Sequence, residues 1–324
     1  METINWGIIG CGDVTEVKSG PAFNKVPHSS LVAVMRRDAA KAADYAKRHQ
    51  VQRWYCNADE LINDPGVNAI YIATPPSSHE LYALAAIRAG KPVYVEKPMA
   101  LNFAAAQQMS LAAETAAVKL TVAHYRRQWP LFKKIKQLIH DKAIGEVRLA
   151  RLEYYTTPPS SDELLVEKNA WRVDPAVAGG GFFHDLAPHQ LDLMFHFFGA
   201  ARHIQGMATN QSAQYMADDM VAGNILFENG VVFNGAWCFT AAAKSDRCDI
   251  IGSAGKISFS FFGSPGVELT TAEGTTHFDF IPLQHVQEPM IEQVVKYFLG
   301  DVPNPCTGAE GAEIMRWIEA FTSK

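Results

Sequence analysis

The first 123 residues alternate short apolar segments with helical segments, and this alternation constrains the fold more than any other feature of the chain. The apolar segments are Ile4–Ile9, Leu31–Met35, Ala69–Ala73, Pro92–Glu96 and Lys119–Ala123. The helical segments between them are Ala39–His49, Ser78–Ala89 and Asn102–Ala117. Strands that are apolar on both faces are typical of parallel sheets covered by helices on each side. The alternation therefore predicts an α/β fold whose first domain, residues 1–123, is a doubly wound parallel sheet.

The remaining residues, 124–324, show a different pattern. The predicted helices and strands are Leu131–Asp141, Val147–Tyr155, Val231–Phe239, Lys256–Phe262, Thr275–Phe280, Glu288–Leu299 and Gly308–Phe321. A loop rich in Pro, Ser and Gly runs from 156 to 181. From Val221 onward the pattern is typical of hairpins, and Asn229-Gly230 predicts a type I′ turn. We expect a second, α+β domain with an antiparallel or mixed sheet, and the last helix, 308–321, is a candidate to pack back on the first domain.

The composition favours a small-molecule partner over nucleic acid or a membrane. The net charge is −5 and the pI is about 6.1, which gives no bias toward phosphate backbones or anionic lipid. No apolar run is long enough to span a bilayer, and the N-terminal segment Met1–Trp6 lacks the basic region of a signal peptide. The five cysteines are scattered without metal-binding spacing. We therefore expect a cytoplasmic protein with reduced thiols.

A glycine-rich turn directly follows the first predicted strand. Its sequence is Gly10-Cys11-Gly12-Asp13-Val14-Thr15. Glycine at the first two positions lets backbone N–H groups approach a pyrophosphate, which then also lies at a helix N-terminus. The alternative is an ordinary strand–helix turn, but the place of the turn in a βαβ unit favours dinucleotide binding. Thr15 stands where Gly or Ala is usual, and Gly20-Pro21 predicts that the first helix is offset or split.

Two arginines follow the second predicted strand, where such domains contact the adenosine ribose. Arg36 and Arg37 offer a bidentate, cationic site for the 2′-phosphate of NADP. An NAD-selective site would place an acidic side chain near this point, and Asp38 could still reach the ribose. The alternative without a functional role is a solvated pair of surface arginines, with Asp38 capping the next helix. We favour NADP and leave NAD open.

Lys97 is a candidate acid–base residue because of its place at a strand end. It follows Glu96, which ends a predicted strand, and ligands of doubly wound sheets bind at the carboxyl edge of the strands. Pro98 favours an extended backbone at Lys97 and so a defined side-chain direction. A solvated lysine at a strand end is the alternative.

A further segment carries four polar residues on one stripe of an apolar helix predicted from Asp185 onward: Asp185, His189, Asp192 and His196. Polar groups in such surroundings need partners or a function. For Asp192 and His196 we favour internally satisfied Asp–His pairs. A zinc site that adds His184 is a third possibility, but no Cys pair or H-E-x-x-H motif supports it, so we predict no metal.

Taken together, these motifs resemble the Gfo/Idh/MocA family, the glucose–fructose oxidoreductase, inositol dehydrogenase and MocA-like proteins. The matching segments occur in the family's order along nearly the whole chain. They are Gly7–Gly12, Ala73–His79, Glu96-Lys97-Pro98, Tyr125–Pro130, Trp171-Arg172, and Gly179–Gly181 with Asp185, His189 and Asp192. The resemblance implies a Rossmann domain followed by a domain with a large, open, mainly antiparallel sheet that often serves as a dimer or tetramer interface.

The resemblance also implies roles for individual residues. Lys97, Asp185 and His189 match the family's catalytic residues. Besides Gly10, Cys11, Gly12, Asp13 and Val14 of the turn, the residues matched near the cofactor or active site are Thr74, Pro75, His79, Glu96, Arg127, Trp171 and Arg172. The implied activity is NAD(P)-dependent hydride transfer at a hydroxyl or carbonyl carbon of a sugar, polyol or dihydrodiol. The alternative is a non-catalytic NAD(P)-binding regulator of the same fold, which the three catalytic-type residues disfavour.

Aromatic residues of the hairpin-rich segment favour self-association. They include Phe227, Phe233, Trp237, Phe239, Phe259, Phe261 and Phe262. If helices cover only one face of the sheet, some of these side chains would form an apolar patch too large for a monomer. We therefore expect a homodimer or homotetramer joined through the C-terminal sheet.

Overall fold

The computed structural model describes residues 2–160 and 171–323. The chain divides into two compact units: Met1–Arg126 with Leu283–Met315, and Arg127–Pro282 with Arg316–Lys324. The segment from Leu283 to Met315, which the sequence analysis places in the second domain, thus belongs to the first unit. The last helix begins in one unit and ends in the other. No helix in the described part of the chain has the length and apolarity needed to cross a membrane.

A six-stranded parallel sheet forms the centre of the first unit and confirms the predicted fold class. Its strands are β1 (Ile4–Ile9), β2 (Ser29–Met35), β3 (Arg53–Tyr55), β4 (Ala69–Ile72), β5 (Val93–Val95) and β6 (Leu120–Val122). The helices of this unit are α1 (Asp13–Val17), α2 (Ala39–Arg48), α3 (Ala58–Ile62), α4 (His79–Arg88), α5 (Phe103–Thr115) and α9 (Glu288–Leu299). The strand order is β3-β2-β1-β4-β5-β6, so the direction of winding reverses between β1 and β4. Ligands of such sheets bind at this switch point.

Side-chain caps explain where several helices begin. Asp38, Asn57 and Asn102 precede α2, α3 and α5, and each accepts a hydrogen bond from a backbone N–H of the first turn. The strand β3 and the helix α3 are additions to the sequence prediction. They contain three and five residues, which is too short for a periodic pattern to appear.

The first helix is split, as predicted. α1 ends at Val17, and a 3-10 helix follows over Gly20–Asn24. Thr15 is buried, its hydroxyl donates to the Gly12 carbonyl at 2.8 Å, and its own carbonyl accepts the Tyr45 hydroxyl at 2.8 Å. A Cβ at Gly20 would lie 2.2 Å from the Thr15 carbonyl oxygen, so only glycine fits there. Thr15, which stands where Gly or Ala is usual in the glycine-rich turn, is therefore accommodated because Gly20 packs closely against its carbonyl.

An eight-stranded sheet forms the second unit. Its strands are β7 (Val147–Tyr155), β8 (Ala201–Thr209), β9 (Met220–Phe227), β10 (Val232–Cys238), β11 (Ser245–Gly252), β12 (Gly255–Phe259), β13 (Gly266–Thr271) and β14 (Gly274–Asp279). The order is β14-β13-β12-β11-β7-β10-β9-β8, and every pairing except the parallel β7–β10 pair is antiparallel. The helices are α6 (Pro130–His140), α7 (Pro175–Ala178), α8 (Gly181–Phe198) and the end of α10 (Gly308–Thr322). The predicted mainly antiparallel sheet is thus confirmed.

The predicted loop over 156–181 contains helical turns, and its residues 161–170 lie outside the described part. A 3-10 turn covers Trp171–Val173, and Asp174 starts α7 by accepting the Ala176 N–H at 2.9 Å. The helix α8 begins at Gly181, four residues before the predicted start. Pro188 therefore lies inside the helix, where its missing N–H deprives the His184 carbonyl of its usual helical partner.

The hairpin between β9 and β10 is confirmed, but the predicted type I′ turn is wrong. Within the turn only Gly230 has a positive φ, +85°, whereas type I′ needs two such residues. The Gly230 N–H donates to the Phe227 carbonyl at 3.0 Å, which is the pattern of a type I turn followed by a glycine bulge. The side-chain amide of Asn229 donates to the Phe198 carbonyl at 3.1 Å, and the side-chain oxygen of Asn229 accepts the Val231 N–H at 3.1 Å. Both hydrogen bonds stabilise the type I turn with its glycine bulge.

The aromatic patch expected on the second sheet is also wrong, because the chain covers those side chains itself. Phe227, Phe233 and Trp237 are fully buried, and Phe239, Phe259 and Phe261 are nearly so. Trp237 packs against Phe183 of α8 at 5.1 Å and against Phe321 of α10 at 5.6 Å between ring centroids. Among the aromatic residues named for the patch, Phe262 alone is half-buried.

Candidate active site

The glycine turn after β1 has one tight position and one open position. Gly10 has φ +94°, and a Cβ there would lie 2.8 Å from the backbone nitrogen of Thr74. The N–H groups of Gly10 and Cys11 both donate to the Met35 carbonyl at 2.9 and 3.2 Å, which ties the turn to the end of β2. A Cβ at Gly12, by contrast, would meet only the Gly10 carbonyl oxygen, at 3.9 Å. Gly10 is therefore required for packing, whereas Gly12 leaves the turn open to a ligand.

These residues fit the phosphates of a dinucleotide. Asp13 and Val14 open α1, and first-turn N–H groups of a helix have no acceptor within the helix. Cys11 is fully buried, and burial raises the pKa of its thiol to about 11. Cys11 is thus a neutral packing residue that contributes its backbone to the turn.

Arg36 lies against the glycine turn, and Arg37 and Asp38 are exposed at the start of α2. The Arg36 Nη1 donates to the Cys11 carbonyl at 3.3 Å, and the side chain is half-buried. Asp38 accepts the Lys41 N–H at 3.1 Å and lies 3.7 Å from the Lys41 ammonium, and these interactions lower the pKa of its carboxyl. The structure therefore uses Asp38 as a helix cap, which is one of the two roles that the sequence left open.

His79 connects the segment after β4 to the segment after β5. Its Nε2 lies 2.7 Å from the Thr74 carbonyl and its Nδ1 lies 3.0 Å from the Pro98 carbonyl. The ring is fully buried, and burial lowers its pKa to about 4 although both carbonyls favour the protonated ring. Thr74 is held on its other side by the Ser78 hydroxyl, at 2.8 Å. The ring of His79 thus lies between the Thr74 and Pro98 carbonyls, and as a neutral imidazole it donates to one of them. The Pro75 carbonyl accepts the Ser78 hydroxyl at 3.1 Å.

Glu96 turns into the core of the first unit, where it meets residues that sequence reasoning missed. Its Oε1 accepts the Tyr71 hydroxyl at 2.6 Å and the side-chain amide of Gln287, and its Oε2 accepts the Lys97 N–H at 3.2 Å. Only 5% of Glu96 is exposed. Burial, and then the carboxylate of Glu96, raise the pKa of Tyr71 well above its usual range. Gln287 lies about 190 positions further along the chain, so no local pattern could reveal this interaction.

Lys97 follows this buried carboxylate directly. It lies just beyond the end of β5, is half-buried, and is joined to Pro98 through a cis peptide bond. The parallel strands of the first unit end at the same edge, so Lys97, Thr74 after β4 and the glycine turn after β1 share that edge.

The second unit carries the other predicted catalytic residues on α8. Asp185 and His189 are one turn apart, so they lie on the same face of the helix. Asp185 accepts a hydrogen bond from the Arg172 Nε at 3.2 Å, and the Arg172 guanidinium lies over the Trp171 ring at 4.7 Å. His189 is 5% exposed, and its ring contacts that of Phe262 edge-on, with centroids 5.9 Å apart.

Arg127 and Asp192 form a buried ion pair in the same unit. Nε and Nη2 of Arg127 approach the Asp192 carboxylate at 2.7 to 3.1 Å, and both side chains are at most 2% exposed. Asp192 is thus internally satisfied, as predicted, but its partner is an arginine where we expected a histidine. His196 instead lies 3.1 Å from the Lys136 ammonium. Burial and then the Arg127 charge lower its pKa to about 3.

Within the described residues, no three His, Cys, Asp or Glu side chains come together as a group that could hold a metal ion.

The candidate residues form two sets, one in each unit. The first unit contributes a glycine turn, Arg36 and Lys97, and the second unit contributes Arg172, Asp185 and His189. Within the first unit, Lys97 and the glycine turn lie at the same edge of the sheet, which suits redox chemistry with a dinucleotide.

Both units match known sequence families. Residues 4–124 match the GFO_IDH_MocA family, described as an oxidoreductase family with an NAD-binding Rossmann fold. Residues 132–258 match the GFO/IDH/MocA C-terminal domain.

Several known proteins are similar to most of the chain. "Oxidoreductase P35" of Formosa agariphila is 46% identical over 98% of both chains. A 1,5-anhydro-D-fructose reductase of Ensifer adhaerens is 28% identical over 78% of this chain and 74% of its own. A trans-1,2-dihydrobenzene-1,2-diol dehydrogenase of Bos taurus is 27% identical over 78% of this chain and 72% of its own.

Solved structures show the same fold. The structure of a levoglucosan dehydrogenase in complex with NADH and levoglucosan superposes with a TM-score of 0.88 and 21% identity, over 98% of this chain and 96% of that one. The profile matches and the 46% identical relative together establish the family. The chain therefore belongs to the Gfo/Idh/MocA family and is an enzyme, an oxidoreductase with an NAD-binding Rossmann domain.

Proposed function

We propose that the protein catalyses reversible hydride transfer between a nicotinamide cofactor and a hydroxyl or carbonyl carbon of a sugar-, polyol- or dihydrodiol-like substrate. One observation carries the proposal: Lys97 stands at the ligand-binding edge of the Rossmann sheet, and Asp185 and His189 stand one turn apart on α8. Such residues can take or give the hydroxyl proton that must move when a hydride leaves or joins the carbon.

The first unit supplies the groups that would hold the cofactor. Gly10, Gly12 and the opening of α1 offer backbone hydrogen bonds to the pyrophosphate, and Arg36 stands beside them. The nicotinamide, when bound, supplies or accepts the hydride. Lys97 then serves as the proton partner of the substrate oxygen.

In the second unit, Asp185 and His189 orient the substrate and share the proton. Arg172 donates to one carboxylate oxygen of Asp185, and a carboxylate can accept a substrate hydroxyl as well. The ring of His189 packs edge-on against that of Phe262. We assign His189 the relay of the proton or the polarisation of the substrate oxygen.

Half-buried aromatic rings near His189 support a cyclic substrate. Phe262 packs on Tyr154, which is also half-buried, at 5.3 Å between centroids. Flat aromatic faces suit the C–H face of a sugar ring or the unsaturated ring of a dihydrodiol. The names of two relatives, an anhydrofructose reductase and a dihydrodiol dehydrogenase, point to the same two classes.

We also propose that NADP is preferred over NAD. The position of Arg36 against the Cys11 carbonyl places a guanidinium beside the glycine turn, and Arg37 follows it in sequence. Asp38, the acidic residue that would favour NAD, has its carboxylate committed to the cap of α2. A cationic site at this point suits a 2′-phosphate.

Self-association through the second sheet stays a prediction, now with a different basis. The exposed apolar residues lie on the face away from α8: Met207 is 69% exposed and Val232 is 36% exposed. A second copy of the chain is the partner that we propose for this face.

The cytoplasmic location of the protein also stays a prediction.

The test is turnover of the wild type and of Lys97→Met with a panel of aldoses, ketoses, polyols and dihydrodiols, followed by nicotinamide absorbance. Lys97→Met keeps most of the side-chain volume, so we expect cofactor Kd to change little and kcat to fall by about 10² to 10⁴. The matched control is Lys91→Met, at the opposite end of β5, where the ammonium donates to the Asp64 carbonyl at 2.8 Å. Full activity of Lys97→Met would refute the mechanism, and cofactor binding without turnover of any substrate would favour the regulator.

A further inference from the structure

A buried amide, Gln287, completes the surroundings of the carboxylate that precedes Lys97. Gln287 is fully buried at the start of α9, and its Nε2 donates to Glu96 and lies 3.3 Å from the Tyr71 hydroxyl. Its Oε1 accepts the Tyr94 hydroxyl at 3.1 Å. Its backbone N–H donates to the Lys18 carbonyl at 3.1 Å. The amide is therefore held at both ends and cannot turn without breaking a hydrogen bond.

The Glu96 carboxylate depends on these donors. A carboxylate that is 5% exposed loses most of its hydration and must be compensated by hydrogen bonds. Tyr71 and Gln287 both donate to Oε1, which leaves Oε2 to accept the N–H of Lys97 at 3.2 Å. The orientation of the carboxylate thus determines where the backbone of Lys97 is held.

We propose that Gln287 is a positioning residue for Lys97, which it reaches through Glu96. This inference rests on the proposed function, because it concerns the residue to which that function assigns the proton. A small displacement of an acid–base group costs rate more than it costs ground-state binding. The amide of Gln287 therefore acts on kcat, although it lies in the hydrophobic core and touches no reacting atom.

The first test compares Gln287→Met with Tyr94→Phe. Gln287→Met removes the donor to Glu96 and keeps the length of the side chain, whereas Tyr94→Phe removes a hydroxyl of the same network one hydrogen bond further from Glu96. We expect kcat to fall roughly 10- to 100-fold in Gln287→Met with KM within about threefold of wild type. Tyr94→Phe should keep kcat within about threefold.

A second readout needs neither substrate nor cofactor. The amide exchange of Lys97 can be followed by NMR on protein with isotope-labelled lysine, well below the unfolding midpoint. Gln287→Met should speed this exchange by about tenfold or more, while lysine amides elsewhere in the first unit, such as those of Lys41 and Lys91, keep their rates.

A charge swap then separates positioning from mere destabilisation. Gln287→Glu alone places two carboxylates side by side and should lower both activity and stability. Adding Glu96→Gln restores one amide facing one carboxylate, with an oxygen left for the Lys97 N–H. We expect the double variant to recover both kcat and slow Lys97 exchange relative to Gln287→Glu.

Three outcomes would overturn the proposal. They are a Gln287→Met variant with wild-type Lys97 exchange, a decrease of kcat in Tyr94→Phe equal to that in Gln287→Met, and a swap that recovers stability without recovering kcat. If Lys97→Met is fully active, the proposed function fails, whereas the exchange measurement still reports whether Gln287 holds Lys97.

Discussion

Arg127 and Asp192 bind each other through two nitrogens and both carboxylate oxygens, and both side chains are almost inaccessible to water. Asp192→Ala leaves the guanidinium buried without its main counter-ion. We expect the free energy of unfolding to fall by about 3–5 kcal/mol, measured by denaturant titration. An Arg127→Met, Asp192→Leu double variant should be destabilised by less than the sum of its single changes, because no unpaired charge remains.

The pair Arg247 and Asp249, whose arginine is exposed, provides the control for this comparison. Its Nε–Oδ2 distance is 2.9 Å, but the Arg247 side chain is 57% exposed. Surface ion pairs contribute about 0–1 kcal/mol, so Arg247→Ala should be nearly neutral. Equal destabilisation by Asp192→Ala and Arg247→Ala would contradict the assignment of a structural role to the buried pair.

The cofactor preference can be read from binding alone. Replacing Arg36 and Arg37 together with Ala should weaken NADPH binding by about 1–3 kcal/mol for each charge-assisted hydrogen bond that is removed, and should leave NADH binding nearly unchanged. Fluorescence titration of both cofactors measures the two dissociation constants. Lys41→Ala, on the exposed side of α2, is the control. Equal weakening for both cofactors, or a wild type that prefers NADH, would refute the preference.

The buried His79 makes the stability of the first unit depend on pH. Its pKa in the folded protein is about 4, below the usual 6.5, so between these values the unfolded chain binds a proton that the folded chain does not. The contribution of His79 to the free energy of unfolding is therefore complete above about pH 6.5. It decreases as the pH drops toward 4, by at most about 1.4 kcal/mol per pH unit.

His79→Asn should be less stable at neutral pH because it removes the buried ring that lies between the Thr74 and Pro98 carbonyls and donates to one of them. Its stability should also fall less than that of the wild type between pH 6.5 and pH 4. Unfolding curves in denaturant at several pH values give both slopes. His184 and His196, whose pKa values are likewise lowered by burial, remain in both proteins and so cancel in the difference. Parallel slopes would show that His79 is protonated in the folded protein.

Phe262 should contribute to substrate binding more than to the chemical step. Phe262→Ala removes the half-buried ring that packs against His189 and Tyr154, and we expect KM for a cyclic substrate to rise about tenfold. The matched control is Phe278→Ala on β14, where the ring packs on the Lys134 ammonium at 4.6 Å. An unchanged KM for every cyclic substrate would remove the aromatic rings from the substrate site.

Local patterns were sufficient to predict much of the first unit. The apolar run of β1 and the glycines after it follow from short-range physics, because the strand is buried on both faces and Gly10 has room for no side chain. The split of the first helix is likewise a local effect, because Gly20-Pro21 interrupts the helical pattern. The family motifs then marked Lys97, Asp185 and His189, whose roles stay proposals.

Long-range partners could not be predicted from those patterns. Gln287 meets Glu96, and Arg127 meets Asp192, across 191 and 65 positions of sequence, so no periodicity links them. The turn at Asn229-Gly230 differs from its sequence preference because the Asn229 amide is engaged by the Phe198 carbonyl. Trp237 of the second sheet is likewise packed against Phe183 and Phe321, which lie far away in sequence.

The return of Leu283–Met315 to the first unit has a consequence for biosynthesis. While the chain is being made, Glu96 emerges long before Gln287, so its carboxylate has only part of its final set of donors until residues Arg127–Pro282 of the second unit have been translated. Two other contacts also form only after Leu283–Met315 is made. The ring centroids of Trp6 and Phe298 lie 5.5 Å apart, and the Thr121 hydroxyl donates to the Asn304 side-chain oxygen at 3.0 Å. The first unit, whose strands are all made first, is therefore completed only after residues 127–282 of the second unit. A ribosome-bound fragment ending at Arg126 would expose the surface that these late residues cover.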